Sequence, residues 1–551
     1  MSSRNEQITV GELVARFLEA CDVRAAFGVI SIHNMPILDA IGKRGEMRFI
    51  PARGEAGALN MADAYARVTN GLGVAFTSTG TAAGNAAGAM VEAITAGSPV
   101  LHITGQIESA HIGRDRAYIH EAPAQSEMLA AVSKAAYSIM SPNDALYVLR
   151  QAARAALTAP RGPVSIEIPI DVQSSKISVP SDISPWPVEP VSSSEVDIAR
   201  LLERARSAKK PMLLLGGGAR GASVEATRLA ELGFGIVTST NGRAIVAEDS
   251  PYSLGAFNVG ADVEAIYAEC DLLIVVGSRL RSNETWTYKL RLPQNLVVVD
   301  VDARADGRVY KTDLFVRGDS RQVLGTLADE LEGKFRPDKV FLDKIAAAKA
   351  NMIENLRAGL GAYTQLVDEL QKQKPASAVW VRDVTVSNST WGNRYLRIDG
   401  PYDGVHALGG GIGQGMPMAV GAAIGAGDRK TILLTGDGGL CLCLGELITA
   451  ADENANITIL MMNDSGYGVI RNIQDAAYGE RRYFSDIQIP DFSKICDSIG
   501  MKHYKIESLD STSATLQKSL SFEGPSMVEF DMTKIGPYTD KFAGPPTANT
   551  R

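Results

Sequence analysis

An aspartate and an asparagine, each at the end of an apolar run, are the residues best suited to chemistry in this chain. Asp437 follows the run 433–436 and precedes two glycines, and Asn463 ends the next apolar run, 457–462. If the two runs are neighbouring strands of a parallel sheet, both side chains lie at its carboxyl edge, where open α/β sheets bind their ligands. A small set of oxygen ligands suits Mg²⁺, which completes its shell with phosphate or water. The pattern predicts a metal-bridged diphosphate site.

The composition favours small-molecule chemistry in a soluble protein of several domains. The 551 residues, 45% of them hydrophobic, predict about three domains of ordinary size. A net charge of -8 leaves no basic surface for nucleic acid. The polar start of the chain lacks an apolar signal core, and no run reaches the roughly 18 apolar residues of a membrane span. We therefore expect a cytoplasmic location, and the five scattered cysteines predict packed thiols rather than disulfides.

Short apolar runs alternate with helical patterns in the first part of the chain. The predicted strands are 24–30, 49–52, 74–78 and 99–104, with helices at 55–70 and 82–95. Strands that alternate with helices predict a parallel sheet covered on both faces. The Pro- and Ser-rich stretch 179–194 interrupts the pattern and is interpreted as a linker.

Two further α/β units follow this linker. The predicted strands are 211–215, 236–238, 272–277 and 296–301 in the second unit, and 379–384, 431–435, 457–463 and 526–530 in the third. A charged helical stretch, 339–370, joins them. The glycine triplet 216–218 alone is a weak nucleotide signal, so it is interpreted as a strand-to-helix turn. The predicted fold class is α/β, with three doubly wound parallel-sheet domains at residues 1–178, 195–335 and 365–551.

The motif Gly436-Asp437-Gly438, with Asn463 one strand later, resembles the diphosphate-binding signature of thiamine diphosphate enzymes. The three units are similar in order to the pyrimidine-binding, central and diphosphate-binding domains of the family that includes acetolactate synthase, benzoylformate decarboxylase and benzaldehyde lyase. This resemblance implies thiamine diphosphate and Mg²⁺ as cofactors, with Asp437, Asn463 and the carbonyl of Ser465 on the metal. It also implies a homodimer or homotetramer with active sites at the subunit interface.

Glu55 stands where this family supplies the glutamate that engages the cofactor's aminopyrimidine ring. It lies after the second predicted strand, in Arg53-Gly54-Glu55-Ala56-Gly57. A carboxyl among small apolar neighbours can keep a proton to share with the ring nitrogen. The alternative is that Glu55 only stabilises a helix N-terminus. Beside the diphosphate motif, the catalytic interpretation is favoured.

The resemblance extends to other cofactor contacts in the third unit. These are Thr385, Val386, Gly410, Ile412, Gly438 and Gly439. Ile412 takes the position of the apolar residue under the bent cofactor, and the backbone of Gly410 and Ile412 would meet the aminopyrimidine. Gly438 and Gly439 open a predicted helix, whose N-terminal amides can bind phosphate. Glycines in this loop also have a simpler interpretation as a flexible turn.

Two histidines are the candidates for moving substrate protons. The paired histidines of pyruvate decarboxylases are absent from 76–85, and Ser78 stands where benzoylformate decarboxylase has a histidine. His33 instead stands where benzaldehyde lyase has its acid/base histidine. His120 replaces a glutamine that acetolactate synthases and benzaldehyde lyase share. A lone histidine is more often a packing or surface residue, but one that titrates near neutral pH can give and take a substrate proton.

These residues predict a lyase or carboligase that makes or breaks a carbon-carbon bond beside a carbonyl. The expected substrate is a small 2-oxo acid, aldehyde or 2-hydroxy ketone, and no nucleic acid or membrane partner is expected. Tyr467, Val469 and Ile473 are expected to line a pocket for a medium-sized apolar group. The alternatives are an acetolactate synthase-type carboligase and a cofactor-binding protein without turnover. We expect neither FAD nor a nucleotide in the second unit.

Overall fold

The computed structural model describes residues 6–542 and 544. They form three parallel sheets of six, five and six strands, and a small two-stranded sheet. The limits predicted at residues 1 and 551 lie outside the described residues. Alternate residues of the strands enter separate apolar clusters, as Val74 and Phe76 do on one face and Ala75 on the other. Both faces of a sheet are therefore covered, as the predicted doubly wound fold class requires.

The first unit begins with a strand and ends with its antiparallel partner. Its elements are β1 (Gln7–Thr9), α1 (Val10–Ala20), β2 (Ala25–Gly28), α2 (Met35–Arg44), β3 (Arg48–Pro51), α3 (Glu55–Thr69), β4 (Gly73–Thr77), α4 (Thr81–Asn85), α5 (Ala87–Ala96), β5 (Val100–Gln106), α6 (Gln125–Ala131), β6 (Ala135–Ser138), α7 (Ala145–Leu157), β7 (Val164–Pro169), α8 (Ile170–Ser174) and β8 (Lys176–Ser178). The parallel sheet has the order β3-β2-β4-β5-β7-β6, and β1 pairs with β8.

The second unit follows a stretch, 179–194, that contains no helix or strand. Its elements are α9 (Glu195–Ser207), β9 (Pro211–Leu215), α10 (Ser223–Leu232), β10 (Gly235–Thr238), α11 (Ala261–Glu269), β11 (Leu272–Val276), β12 (Leu296–Asp300), β13 (Leu314–Arg317) and α12 (Ser320–Leu331), and α13 (Lys339–Leu360) leads onward. The strand order is β10-β9-β11-β12-β13. A Cβ at Gly218 would lie 2.9 Å from Gly277 Cα, so this turn needs glycine for close packing. A cavity of about 550 Å³ opens beside it.

The third unit repeats the strand order of the first. Its elements are α14 (Thr364–Gln373), β14 (Val379–Arg382), β15 (Gly404–His406), α15 (Gly415–Ala426), β16 (Thr431–Gly436), α16 (Asp437–Leu442), α17 (Glu446–Asp452), β17 (Ile457–Asn463), α18 (Gly468–Ala477), α19 (Phe492–Ser498), β18 (Lys502–Ile506), α20 (Thr512–Leu520), β19 (Ser526–Asp531) and α21 (Met532–Ile535). The sheet order is β15-β14-β16-β17-β19-β18. From β14 the chain moves to β15 on one side of the sheet, and from β16 it continues on the other side. The direction of winding thus reverses between β14 and β16, as it does between β2 and β4. Ligands of open α/β sheets bind at such reversals.

Helices α3 and α15 hold the first and third units together. Every residue of α3 from Gly57 to Val68 is buried, and so is the first three-quarters of α15. Gly421 allows the contact, because a Cβ there would overlap the carbonyl oxygen of Met61. Among residues 6–542, no helix combines the length and apolar character needed to cross a membrane.

Candidate active site

Asp437 and Asn463 lie side by side at the carboxyl ends of β16 and β17, which pair in parallel. The chain then curls over Asp437, whose Oδ2 accepts a hydrogen bond from the Gly466 amide at 2.8 Å. Asn463 Oδ1 accepts one from the Ser465 amide at 3.1 Å. Within the described part of the chain, no three His, Cys, Asp or Glu side chains gather into a metal-binding group. A cation here would therefore depend on amide and carbonyl oxygens as well as on carboxylate oxygens.

Buried negative charge makes this loop suitable for a cation. Asp437 is 1% exposed, and burial together with the Asp464 carboxylate raises its pKa to about 6. Burial also raises the pKa of Asp464, although Arg471 lies 2.9 Å from it. Asn463 Nδ2 donates to Glu529 at 2.7 Å, which turns its amide oxygen toward the loop. Oxygen ligands and excess negative charge fit Mg²⁺.

Neighbouring segments pack closely against the backbone on both sides of Asp437. A Cβ at Gly438 would lie 2.8 Å from the Tyr467 ring, so only glycine fits there. Thr385 packs on the same strand end, with Cγ2 at 3.4 Å from the Cβ position of Gly436. Its neighbour Val386 is half-buried. The residues predicted to contact phosphate are thus brought to one edge of the sheet.

Asp383, to which the sequence reasoning gave no role, holds the glycine-rich loop in place. It is fully buried at the end of β14, and its Oδ2 accepts a hydrogen bond from the Gly413 amide at 3.1 Å. The same oxygen lies 3.1 Å from the Cβ position of Gly439, and burial raises the pKa of Asp383 to about 6. Gly410 has a positive φ of 82°, and Ile412 is 40% exposed above the loop. The sequence signal for Asp383 is its position. It directly follows strand β14, which borders the reversal of strand order where open α/β sheets bind ligands.

His33 and His120 face each other at the winding reversal of the first sheet. Their ring centroids lie 5.2 Å apart, and His33 Nδ1 is 3.5 Å from Ser78 Oγ. Burial, and then the charge of His120, lower the pKa of His33. The backbone of His120 has a positive φ of 68°, and a Cβ at Gly80 would overlap its carbonyl oxygen. The two predicted histidines therefore form a pair, and the lowered pKa of His33 favours its neutral form.

Glu55 is the first residue of α3 and is half-buried. Asn85 Nδ2 donates to its Oε2 at 3.2 Å, and no other hydrogen bond among the described residues reaches this carboxylate. The backbone on both sides contacts α17: the Arg53 amide donates to Glu446, and a Cβ at Gly57 would overlap that carboxylate. Glu55 is thus held firmly by its backbone and keeps one oxygen for a ligand. Asn85 is a partner that the sequence reasoning did not identify.

Gln125 joins the turn at Gly80, which contacts His120, to strand β7, and it too was missed. Its Oε1 accepts from the Gly80 amide at 2.7 Å, and its Nε2 donates to Glu167 at 3.1 Å. Gln125 is 2% exposed and Glu167 is 7% exposed. The sequence does offer one signal for this contact. Glu167 lies inside the strand 164–169, and a charge buried there needs a hydrogen-bonding partner such as Gln125.

The candidate residues form two sets in different units. The first-unit half-site is Glu55, His33 and His120, and the third-unit half-site is Asp437, Asn463 and Ser465. Among the described residues, no hydrogen bond or ion pair joins the two half-sites. Exposed apolar side chains from the loops and helices of both units include Ile30, Ile32, Ile119, Ile412, Leu442 and Ile470. Where such exposed apolar groups form one patch, they are typical of a surface covered by another molecule.

Family models match the chain in three consecutive segments. The N-terminal TPP binding domain of thiamine pyrophosphate enzymes matches residues 8–128, and their central domain matches 198–327. Their C-terminal TPP binding domain matches 385–530. The three matches contain both half-sites and occur in the order of the three sheets.

Full-length relatives carry related names. A probable 2-ketoarginine decarboxylase of Pseudomonas aeruginosa is 29% identical over 534 residues, which cover 95% of this chain and 94% of the relative. A probable acetolactate synthase large subunit of Methanocaldococcus jannaschii is 27% identical, with 94% and 91% covered. The acetolactate synthase large subunit of Corynebacterium glutamicum is 26% identical, with 96% and 87% covered.

Proposed function

The chain belongs to the thiamine pyrophosphate enzyme family, and from this premise we propose that it makes or breaks a carbon-carbon bond beside a carbonyl. It is an enzyme of the decarboxylase and carboligase type. The proposed reaction is that of a lyase or carboligase similar to benzaldehyde lyase, with a 2-oxo acid, an aldehyde or a 2-hydroxy ketone as substrate. The observation that carries it is the pair of His33 and His120, with ring centroids 5.2 Å apart.

An acetolactate synthase-type reaction, in which two 2-oxo acids are joined after decarboxylation, is the second candidate. The names of the Methanocaldococcus and Corynebacterium relatives favour it. The name of the Pseudomonas relative refers to decarboxylation of a 2-keto acid, which also favours 2-oxo acids. His33 argues for the first candidate, since it stands where benzaldehyde lyase has its acid/base histidine.

The first-unit half-site would manage the protons of the reaction. Thiamine diphosphate, held by the residues of the two half-sites, would supply the nucleophilic carbon for attack on a carbonyl group. Glu55 would hold a proton at the aminopyrimidine ring through the carboxylate oxygen that Asn85 leaves free. The lowered pKa of His33 favours its neutral form, which would accept a proton from a substrate hydroxyl. His120 stands on the other side of the same space and donates a proton to a forming alkoxide.

The third-unit half-site would hold the other end of the cofactor. We propose that Mg²⁺ binds Asp437, Asn463 and the carbonyl oxygen of Ser465. The proposed contacts of the diphosphate and the pyrimidine are Thr385, Val386, Gly438, Gly439, Gly410 and Ile412. The buried negative charge around Asp437 supports this assignment, because a divalent cation would offset it.

Assembly, location and domain limits belong to the same proposal. We propose a cytoplasmic homodimer or homotetramer, in which one subunit's first-unit half-site meets the partner's third-unit half-site. The absence of any bond between the half-sites among the described residues supports this. The proposed domains are residues 1–178, 195–335 and 365–551.

A substrate panel tests the function directly. Protein loaded with thiamine diphosphate and Mg²⁺ is incubated with 2-oxo acids, aldehydes and benzoin-type 2-hydroxy ketones, and the products are followed by mass. Cleavage or formation of hydroxy ketones from aldehydes supports the lyase/carboligase proposal. Product from paired 2-oxo acids alone favours the synthase. Absence of turnover with every class would overturn the proposal.

A further inference from the structure

A cavity of about 360 Å³ lies between the second unit, helix α13 and the third unit. It shares no lining residue with either half-site. Its apolar wall is formed by Leu254, Phe257, Ile353 and Val367. Leu254 and Val367 are almost completely buried, so the wall belongs to the packed cores of two units.

The guanidinium of Arg394, which lines this cavity, has no acceptor in the described part of the chain. Arg394 Nε is shielded from solvent and has no hydrogen-bond acceptor. No ion pair or side-chain hydrogen bond among the described residues includes Arg394, and burial, together with the charge of Arg243, lowers its pKa. A guanidinium whose Nε is shielded from water and has no acceptor lacks a hydrogen bond that it makes in water, which is unfavourable. The cavity therefore offers a place for an anionic acceptor.

The acidic groups around the cavity are already engaged. Both oxygens of Glu248 accept hydrogen bonds from Arg243, each at 2.7 Å. Asp368 accepts two from Arg357, at 2.6 and 2.9 Å. Asp249 lies on the exposed rim, with 68% of its side chain accessible. None of these carboxylates neutralises Arg394.

Lys349 adds a second cation that pairs with no carboxylate of residues 6–542. Its Nζ donates to the carbonyl oxygens of Glu248 at 2.6 Å and Ser250 at 3.1 Å, and burial lowers its pKa. Arg394 and Lys349 thus provide positive charge beside an apolar wall. We propose that this cavity is a binding site for a small carboxylate with an apolar body, separate from the active site.

Calorimetric titration of the cofactor-loaded protein tests the site with a matched pair of probes. The probes are 3-phenylpropionate and its neutral amide, 3-phenylpropanamide. We expect the carboxylate to bind and the amide to bind at least about tenfold more weakly, since a charge-assisted hydrogen bond is lost. Arg394→Gln should weaken carboxylate binding by a similar factor. Arg397→Gln, on the same cavity but paired with exposed Asp249, is the control and should bind as the original protein does.

A second variant covers the case in which Arg394→Gln does not fold. Ile353→Trp fills the cavity from α13 without changing its charge, and it should also reduce binding by about tenfold or more, because the apolar body loses its space. Thermal unfolding checks that each variant is folded. Failure of 3-phenylpropionate to bind overturns the proposal, as do equal affinities for acid and amide. Binding that is unchanged in a folded Arg394→Gln or Ile353→Trp protein places the probe elsewhere, and likewise overturns it.

Discussion

At the scale of single residues, Glu55 separates an enzyme from a protein that only binds the cofactor. Glu55→Gln keeps the size and one hydrogen-bonding oxygen but removes the proton that we propose the carboxyl shares with the ring. We expect turnover to fall by about 10² to 10⁴, the usual range for loss of a general acid or base. Binding of thiamine diphosphate, followed by calorimetry, should change much less.

Glu203→Gln is the matched control, since Glu203 is exposed on α9 in the second unit, which carries neither half-site. It should leave turnover unchanged. Full activity of Glu55→Gln would contradict the assigned role and would leave Glu55 as a residue that only stabilises the start of α3.

The histidine pair predicts a shift in pH dependence. The charge of His120 is the second cause, after burial, that lowers the pKa of His33. In His120→Gln this cause is absent, so the pKa of His33 rises and the neutral form is lost at a higher pH. The midpoint of the acidic limb in a plot of kcat/KM against pH should therefore move to higher pH. This shift is expected even if the maximum value of kcat/KM also changes. His111→Gln, which changes a histidine that stacks on Tyr118, should leave the midpoint unchanged. A midpoint that does not move in His120→Gln would exclude His33 as the titrating base.

Other site residues were beyond the reach of sequence reasoning because their roles arise from tertiary contact. Asp437 and Asn463 were recognisable, since each ends a strand in a spaced motif. Gln125 has no such signal: it acts only because its helix carries it to Glu167. Glu529 orients Asn463 across two neighbouring strands that are far apart in the chain.

At the scale of elements, apolar runs predicted strands well where hydrophobic residues were continuous. The strands at Pro211–Leu215 and Ile457–Asn463 have the predicted bounds. Strand β7 was missed because Ser165 and Glu167 interrupt its apolar pattern, although both are buried through hydrogen bonds. Strand β18, with the sequence KHYKI, is an edge strand and needs little apolar character. Burial of polar residues by tertiary partners therefore sets the limit of pattern reasoning here.

The tight contact between α3 and α15 predicts that replacing a glycine there by alanine lowers the free energy of unfolding, whereas the same change in an open helix position raises it. Gly421→Ala would overlap the Met61 carbonyl, so α15 must move away from α3. We expect the free energy of unfolding to fall by about 1–3 kcal/mol, as overpacking usually costs. Gly42→Ala in α2 meets nothing within 4 Å and should instead raise it, by roughly 0.5–1 kcal/mol from helix propensity. Denaturant unfolding measures both, and equal effects would show that the α3–α15 contact is not tight.

At the scale of the whole molecule, the proposed active site requires two subunits. Glu55→Gln and Asp437→Asn each damage a different half-site, so each homomeric variant should be nearly inactive. In a mixed dimer, one site combines both damaged halves and the other combines both intact halves. Random exchange of equal amounts should therefore restore about a quarter of the original activity, because half of the dimers are mixed and each has one good site of two.

The exchange is made by mixing the variants under mild denaturant and refolding them together, with a mass-tagged copy to verify mixed dimers. Glu55→Gln exchanged with a tagged copy of itself is the control and should stay inactive. If the half-sites instead met within one chain, both sites of every mixed dimer would carry one damaged half and no activity would return. The recovered fraction thus reports whether the catalytic groups and the metal ligands of one site come from different chains.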